Sequence, residues 1–157
     1  MKILIFSDSH GSGQGMRTAI EREAPDRIFH LGDVLSDARR LSDAYPDLPM
    51  DCVAGNCDGW TAQGEGVSLV TAGGVRFFLT HGHLYHAKSG LDLLMEAGRE
   101  RAADVVCFGH THSALNLRWQ NGLWAVNPGT VGGIGAQATY AVGEAENGAF
   151  TCRIVAV

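Results

Sequence analysis

Apolar positions along the chain fall into two periods. Lys2 to Ser7, Arg27 to His30 and Met50 to Ala54 are short apolar runs bounded by turn residues, the pattern of strands buried on both faces. Between them, residues 15–23 and about 34–44 read as helices, and Pro46 and Pro49 break the chain after the second. Beyond residue 66 the pattern changes. Val67 to Thr71 and Val75 to Thr80 flank Ala72-Gly73-Gly74 as a hairpin. Residues 88–101 carry Leu91, Leu94, Met95 and Gly98 at helical spacing, and Val105 to Phe108 is another strand. Ala114 to Trp119 and Leu123 to Val126 form a hairpin around Gln120-Asn121-Gly122, and Thr139 to Gly143 and Ala149 to Val155 close the chain. Strand–helix alternation followed by hairpins predicts an α/β protein with a mixed sheet, or two sheets face to face, and helices outside. At 157 residues this is one domain, 1–157, with no internal repeat or linker.

Five of these strands end in a short polar cluster. The clusters are Asp8/His10, Asp33, Asn56/Asp58, His81/His83 and His110/His112, each with a glycine in or beside it. Sites in open α/β sheets gather at the carboxyl ends of strands, so five loops from one sheet edge are expected to converge. In Asp8-x-His10 and His110-x-His112, one intervening residue in an extended segment puts both side chains on one side. One Asp or His at a strand end is ordinarily a cap or turn residue. Five clusters together, with five of the seven histidines between 81 and 112, point to metal binding instead. The donors Asp8, His10, Asp33, Asn56, His81, His110 and His112 are oxygens and imidazoles. They suit manganese, nickel, iron, zinc, cobalt or magnesium better than copper(I) or iron–sulfur clusters. Seven donors exceed one tetrahedral site and fit two divalent ions sharing a carboxylate. Two ions about 3.5–4 Å apart can clamp a displacement at phosphorus.

Charge sharpens this picture. The formal net charge of −5 argues against general nucleic-acid binding, which needs a basic stripe. Two divalent ions would move −5 to −1 and make the site locally positive toward an anionic phosphoester. Cys52, Cys107 and Cys152 lie in strand-like runs and read as core packing. Ile3-Leu4-Ile5-Phe6 is too short for a signal segment or a membrane span, so a cytoplasmic protein without membrane attachment is expected.

The same residues carry a family resemblance. Asp8-Ser9-His10, Gly32-Asp33, Gly55-Asn56-Cys57-Asp58, His81-Gly82-His83 and Gly109-His110-Thr111-His112 resemble, in order, the signature of calcineurin-like metallophosphoesterases. Thr80-His81-Gly82-His83-Leu84 and Asn127-Pro128-Gly129-Thr130 look like the small prokaryotic phosphodiesterase subgroup related to the phosphoesterase-like subunit of retromer. The resemblance implies a four-layer α/β/β/α sandwich. It implies that Asp8, His10 and His112 bind a first metal, that Asn56, His81 and His110 bind a second, and that Asp33 bridges them. A bridging hydroxide would attack phosphorus in line, and manganese is the first metal to expect. Alternatives on the same fold are a phosphomonoesterase or a non-catalytic interaction scaffold; homo-oligomers are also open.

One position departs from the family pattern. Many members have His where this chain has Cys57, and that His stabilises the transition state or protonates the leaving group. A thiol with an ordinary pKa of about 8.5 is a poor substitute at neutral pH. Asn56, Cys57, Asp58 and His83 are the candidates for roles in catalysis: His83 touching substrate or acting as the acid, Asp58 orienting His81 or capping a turn. His30 reads as core or as support behind the site, His86 as surface. The loop from Asn127 to Gly133 either offers N–H groups to phosphate or is a plain turn, and Trp60 either rims the site or packs.

Overall fold

The apolar run of the first strand, β1 (Lys2–Phe6), divides by alternation. Ile3 and Ile5 pack into one core and Leu4 and Phe6 into another, because successive side chains leave a strand on opposite faces. A computed structural model describes residues 1–59, 66–119 and 121–157 of the chain. Its further strands are β2 (Arg27–His30), β3 (Met50–Cys52), β4 (Val67–Ala72), β5 (Val75–Thr80), β6 (Val105–Cys107), β7 (Leu115–Arg118), β8 (Trp124–Asn127), β9 (Thr139–Glu146) and β10 (Ala149–Ala156). The helices are α1 (Gly13–Glu23), α2 (Leu35–Ala44) and α3 (Asp92–Glu100), with one 3-10 turn at His83–Tyr85.

The strands form two mixed five-stranded sheets, ordered β10-β9-β1-β2-β3 and β4-β5-β6-β8-β7. β1, β2 and β3 run parallel in the first, and β5, β6 and β8 run parallel in the second. The sheets stack on a shared core in which Ile3, Ile5, Phe29 and Leu31 meet Phe77, Leu79, Val105 and Cys107. α1 and α2 cover the outer face of the first sheet through Met16, Ala19, Ile20 and Leu41. α3 covers the second through Leu94, Met95 and Ala97 against Phe78 and Val106. The result is the expected α/β/β/α sandwich. The expectation that the polar clusters leave one sheet edge is corrected: they follow β1, β2 and β3 of one sheet and β5 and β6 of the other.

Some boundaries differ from the periodic pattern. The predicted helix 88–101 begins only at Asp92, since Gly90 at φ 146° holds a backbone conformation closed to helix. β9 does not stop at Gly143. It continues to Glu146 and turns through Asn147-Gly148, at φ 51° and 81°, into β10. That pair is a strong two-residue hairpin signal. Gly143 is needed inside the strand because a Cβ there would lie 2.8 Å from the Phe150 ring. Trp60 and Gln120 lie outside the described residues, so the rim reading of Trp60 does too. All four cysteines are free; Cys107 is buried, and Cys52 and Cys152 are half-buried. No described helix is long and apolar enough to cross a membrane.

Candidate metal centre

The loops after β1, β2 and β6 reach the site through backbone that side chains rarely adopt. Asp8, His10, Asp33, His110 and His112 all have positive φ, between 43° and 65°. Asp and His tolerate this region better than most residues, yet five such positions at one locus mark stored strain, characteristic of functional sites. The extended-segment expectation for Asp8-x-His10 and His110-x-His112 is therefore corrected: tight left-handed turns bring these side chains inward. Glycines let the loops close. A Cβ on Gly55 would sit 2.2 Å from Asp33 Oδ1, and one on Gly32 2.6 Å from the Gly55 nitrogen.

The side chains form two compact groups, Asp8/His10/His112 and Asp8/Asp33/His81, each with its donor atoms within 4.8 Å of one another. Asp8, Asp33 and His81 are buried, His10, His83, His110 and His112 half-buried, and Asn56 and Cys57 exposed, so the cluster opens to solvent on one side. His110 stands beside the second group with its ring centroid 5.1 Å from that of His81. His83 lies 5.5 Å from His81 and 6.1 Å from His110, and its buried Nδ1 has no hydrogen-bond partner.

The partners of the ring nitrogens indicate which of them face the cluster. His81 Nδ1 lies 2.8 Å from the Leu31 carbonyl, which can only accept, so Nδ1 carries a proton, and in the neutral ring Nε2 presents a lone pair. That lone pair faces Asn56 Oδ1 at 3.1 Å and Asp33 Oδ1 at 3.5 Å. The Asn56 amide N–H donates to Cys57 Sγ at 3.5 Å, which turns the oxygen toward His81. His112 repeats the arrangement: Nδ1 lies 3.1 Å from the Ile134 carbonyl, and Nε2 lies 3.0 Å from Asp8 Oδ1 out of hydrogen-bond alignment. Asp8 Oδ1 and His10 Nε2 are themselves buried with no hydrogen-bond partner. Lone pairs facing each other near 3 Å repel unless they share a proton or a metal ion, and a metal ion bonded at about 2.0–2.2 Å to each spans that separation. Backbone carbonyls fixing the far nitrogen of ligating histidines are the usual support for such sites. The residues present thus fit divalent metal.

Titration agrees with ligand use. Burial, with His81 beside it, lowers His110 to about 4, so its ring is neutral at pH 7. Burial alone would raise the Asp33 carboxyl. The backbone N–H of Cys57 at 2.9 Å, with His81, the Cys57 thiol and His10, outweighs burial and leaves Asp33 below its ordinary value. Burial, then Asp33, pushes the Cys57 thiol up, so it stays protonated at neutral pH. Burial lowers His30, fully enclosed behind the site, to about 4.

Other predicted residues have different surroundings. Asp58 makes no hydrogen bond to His81. Its oxygens accept the N–H groups of Gly55 at 2.8 Å, Asp33 at 2.9 Å and Leu35 at 2.7 Å, tying two site loops together and capping α2, which has no side-chain cap of its own. The loop after β8 is a structural brace. The N–H groups of Gly129, Val131, Gly132 and Gly133 are spent on Asn127 Oδ1 and on the carbonyls of Ser7, Asp8 and Thr130. The buried Asn127 amide holds the Gly109 carbonyl and Thr111 Oγ1. His86 is exposed, as expected. Sequence reasoning missed Asp37, which accepts from Ser9 Oγ and the Gly11 N–H. Nothing in its spacing separates it from an ordinary first-turn acid.

A two-sheet sandwich with buried Asp and His groups at its parallel strand ends defines the class. The calcineurin-like phosphoesterase superfamily domain matches residues 1–148, and the chain belongs to that superfamily. Among curated proteins it is 35% identical to the probable metallophosphoesterase YsnB of Bacillus subtilis (strain 168), over 98% of this chain and 89% of that one. Among solved structures, a predicted phosphoesterase from Streptococcus pneumoniae TIGR4 superposes with a TM-score of 0.81 at 24% identity, covering 99% of this chain and 88% of the other. An archaeal phosphodiesterase gives a TM-score of 0.73 at 25% identity, covering 99% and 100%. Vps29 from Entamoeba histolytica gives 0.78 at 17% identity, covering 100% and 99%, a likeness of fold alone.

Proposed function

We propose that the chain is a metal-dependent phosphodiesterase acting on a phosphodiester or nucleotide-like small molecule at a centre for two divalent ions. The observation that carries this reading is a cluster of converging donors without hydrogen-bond partners: Asp8 Oδ1 and His10 Nε2 are buried and unpartnered, with His112 Nε2 3.0 Å from Asp8 Oδ1 and His81 Nε2 3.1 Å from Asn56 Oδ1. Asp8, His10 and His112 would hold one ion, and Asn56, His81 and His110 the other. Asp8 belongs to both compact groups, but its Oδ2 is taken by Ser7 Oγ at 2.5 Å and the His110 N–H at 3.1 Å. Asp33 turns one oxygen to each set, Oδ2 at 3.9 Å from His10 Nε2 and Oδ1 at 3.5 Å from His81 Nε2. That favours Asp33 as the shared ligand. When bound, such ions supply Lewis acidity toward phosphoryl oxygens and lower the pKa of water. Manganese is proposed first; nickel, iron, zinc, cobalt and magnesium suit the same donors.

The chain's own groups set what kind of ester leaves. Burial lowers His83 below its ordinary value, so its ring is neutral at pH 7 and suited to hydrogen-bonding a substrate oxygen rather than acting as the acid. The Cys57 thiol is held protonated by burial and by Asp33, which makes it a weak proton donor. Leaving groups that depart with little proton help are therefore preferred. The likeness to the archaeal phosphodiesterase supports diesters over monoesters. All seven ligand positions hold competent donors, which favours catalysis over a scaffold role.

Protein loaded in turn with manganese, nickel, cobalt, zinc, iron and magnesium should hydrolyse an aryl phosphodiester at least about tenfold faster than the aryl monoester. No hydrolysis of either with any metal would overturn the proposal in favour of a scaffold. Cys57→His should raise the rate on diesters with poor leaving groups by about tenfold or more and flatten the dependence on leaving-group pKa. Unchanged rates across that series would contradict the assignment of Cys57 as a poor acid.

A further inference from the structure

The loop carrying Asp8 and His10 is held in its left-handed turn by a residue that is not a ligand. Asp37, in the first turn of α2, is 4% exposed. Its Oδ2 accepts the Ser9 hydroxyl at 2.8 Å and the Gly11 N–H at 2.7 Å, one bond on each side of His10. Ser9 Oγ also lies 3.3 Å from the Asp33 carbonyl, but one hydroxyl hydrogen serves one partner and the shorter contact is to Asp37. Among the described residues Arg40 makes the only salt bridge to the carboxylate, 3.6 Å from the other oxygen, Oδ1, and is itself mostly exposed. A buried carboxylate costs free energy unless its charge is used, and both bonds here are charge-assisted. They restrain a turn in which Asp8 and His10 have φ of 54° and 43°, and among the described residues no hydrogen bond holds the His10 ring itself, whose buried Nε2 has no partner.

We infer that Asp37 is a positioning residue for the metal set of Asp8, His10 and His112, acting through Ser9 and Gly11 on the placement of His10. The inference rests on the dimetal reading of the same site. Among the described residues Asp37 makes no hydrogen bond to a donor of the Asn56/His81/His110 set, so its loss is expected to act chiefly on the ion that His10 would hold.

The test is a two-equivalent manganese titration of the full chain by calorimetry with a competing chelator, on wild type, Asp37→Ala and Asp37→Asn. One of the two equivalents is expected to weaken by about 10–100-fold in Asp37→Ala, with the second unchanged. Asp37→Asn keeps an acceptor oxygen and should weaken the same equivalent by less, which gives a reading even if the alanine variant fails to fold. Amide exchange at Gly11 should accelerate in both variants. A folded variant that binds both equivalents as wild type does, or loses both equally, overturns the inference. Wild type that binds no manganese defeats the dimetal reading itself, a distinct result.

Discussion

Asp33→Ala is expected to lower phosphoester hydrolysis by at least about 10³-fold and to abolish tight binding of the second metal equivalent. Asp33 turns a different oxygen toward each set of donors, Oδ2 toward His10 and Oδ1 toward His81, whereas Asp8 meets both sets with the single oxygen Oδ1. Losing it separates the sets and removes one of the two buried negative charges that would offset the ions, Asp8 being the other. The substitution has a second consequence that must be told apart. Asp33 Oδ1 accepts the Cys57 N–H at 2.9 Å, and an amide left unpaired costs about 1–3 kcal/mol. Asp33→Asn separates the two effects. It keeps an acceptor for Cys57 and so should fold near wild-type stability, yet it lacks the charge and should lose metal affinity and activity almost as fully. If Asp33→Ala retained two tightly held ions, Asp33 would not be the shared ligand.

Gly55→Ala should lose nearly as much activity from a position that contributes no donor at all. A Cβ there would lie 2.2 Å from Asp33 Oδ1 and 2.5 Å from the Asp33 nitrogen. The second neighbour is backbone, so rotating the Asp33 side chain does not relieve the contact. The loops after β2 and β3 must part, and Asp58, which ties Gly55 to Asp33 and Leu35, would lose its geometry. Overpacking of this kind costs about 1–3 kcal/mol of stability, and displacement of the shared carboxylate should cost about 10²-fold or more in rate. Gly13→Ala is the control: it opens α1 with ordinary φ and nothing within 4 Å of the added carbon. It should fold and hydrolyse as wild type. Thermal melts and steady-state rates on the three proteins check both expectations, and a Gly55→Ala variant with wild-type rates would contradict the close-packing account.

The layers of this molecule are legible in its apolar pattern because each sheet face and helix stripe must be buried. Ile3 and Ile5 belong to one core and Leu4 and Phe6 to another for that reason alone. The donors are legible because they follow apolar strands as short polar clusters. Which sheet each cluster leaves is not legible: pairing β5 with β6 rather than with β3 is decided by tertiary packing, which local periodicity does not report. The left-handed turns at Asp8, His10, His110 and His112 are also hidden, since neither Asp nor His demands positive φ and only the assembled site holds them there. Asp37 is hidden for the same reason, and Asn127 is legible only as the start of a loop, not as the side chain that braces it. Their partners, Gly11 and Gly109, are distant in the chain and brought to them by the fold. Asp58 is legible as a site residue, but its bonds to three backbone N–H groups place it behind the proposed ligands.

The most direct measurement of the central claim is metal content of purified protein, by mass spectrometry, after manganese loading and removal of free ions. The donor atoms of His81, Asn56, His112 and Asp8 that face one another near 3 Å predict two ions per chain in wild type and no more than one in Asp33→Ala. A folded, metal-replete wild-type preparation that retains none would contradict the account.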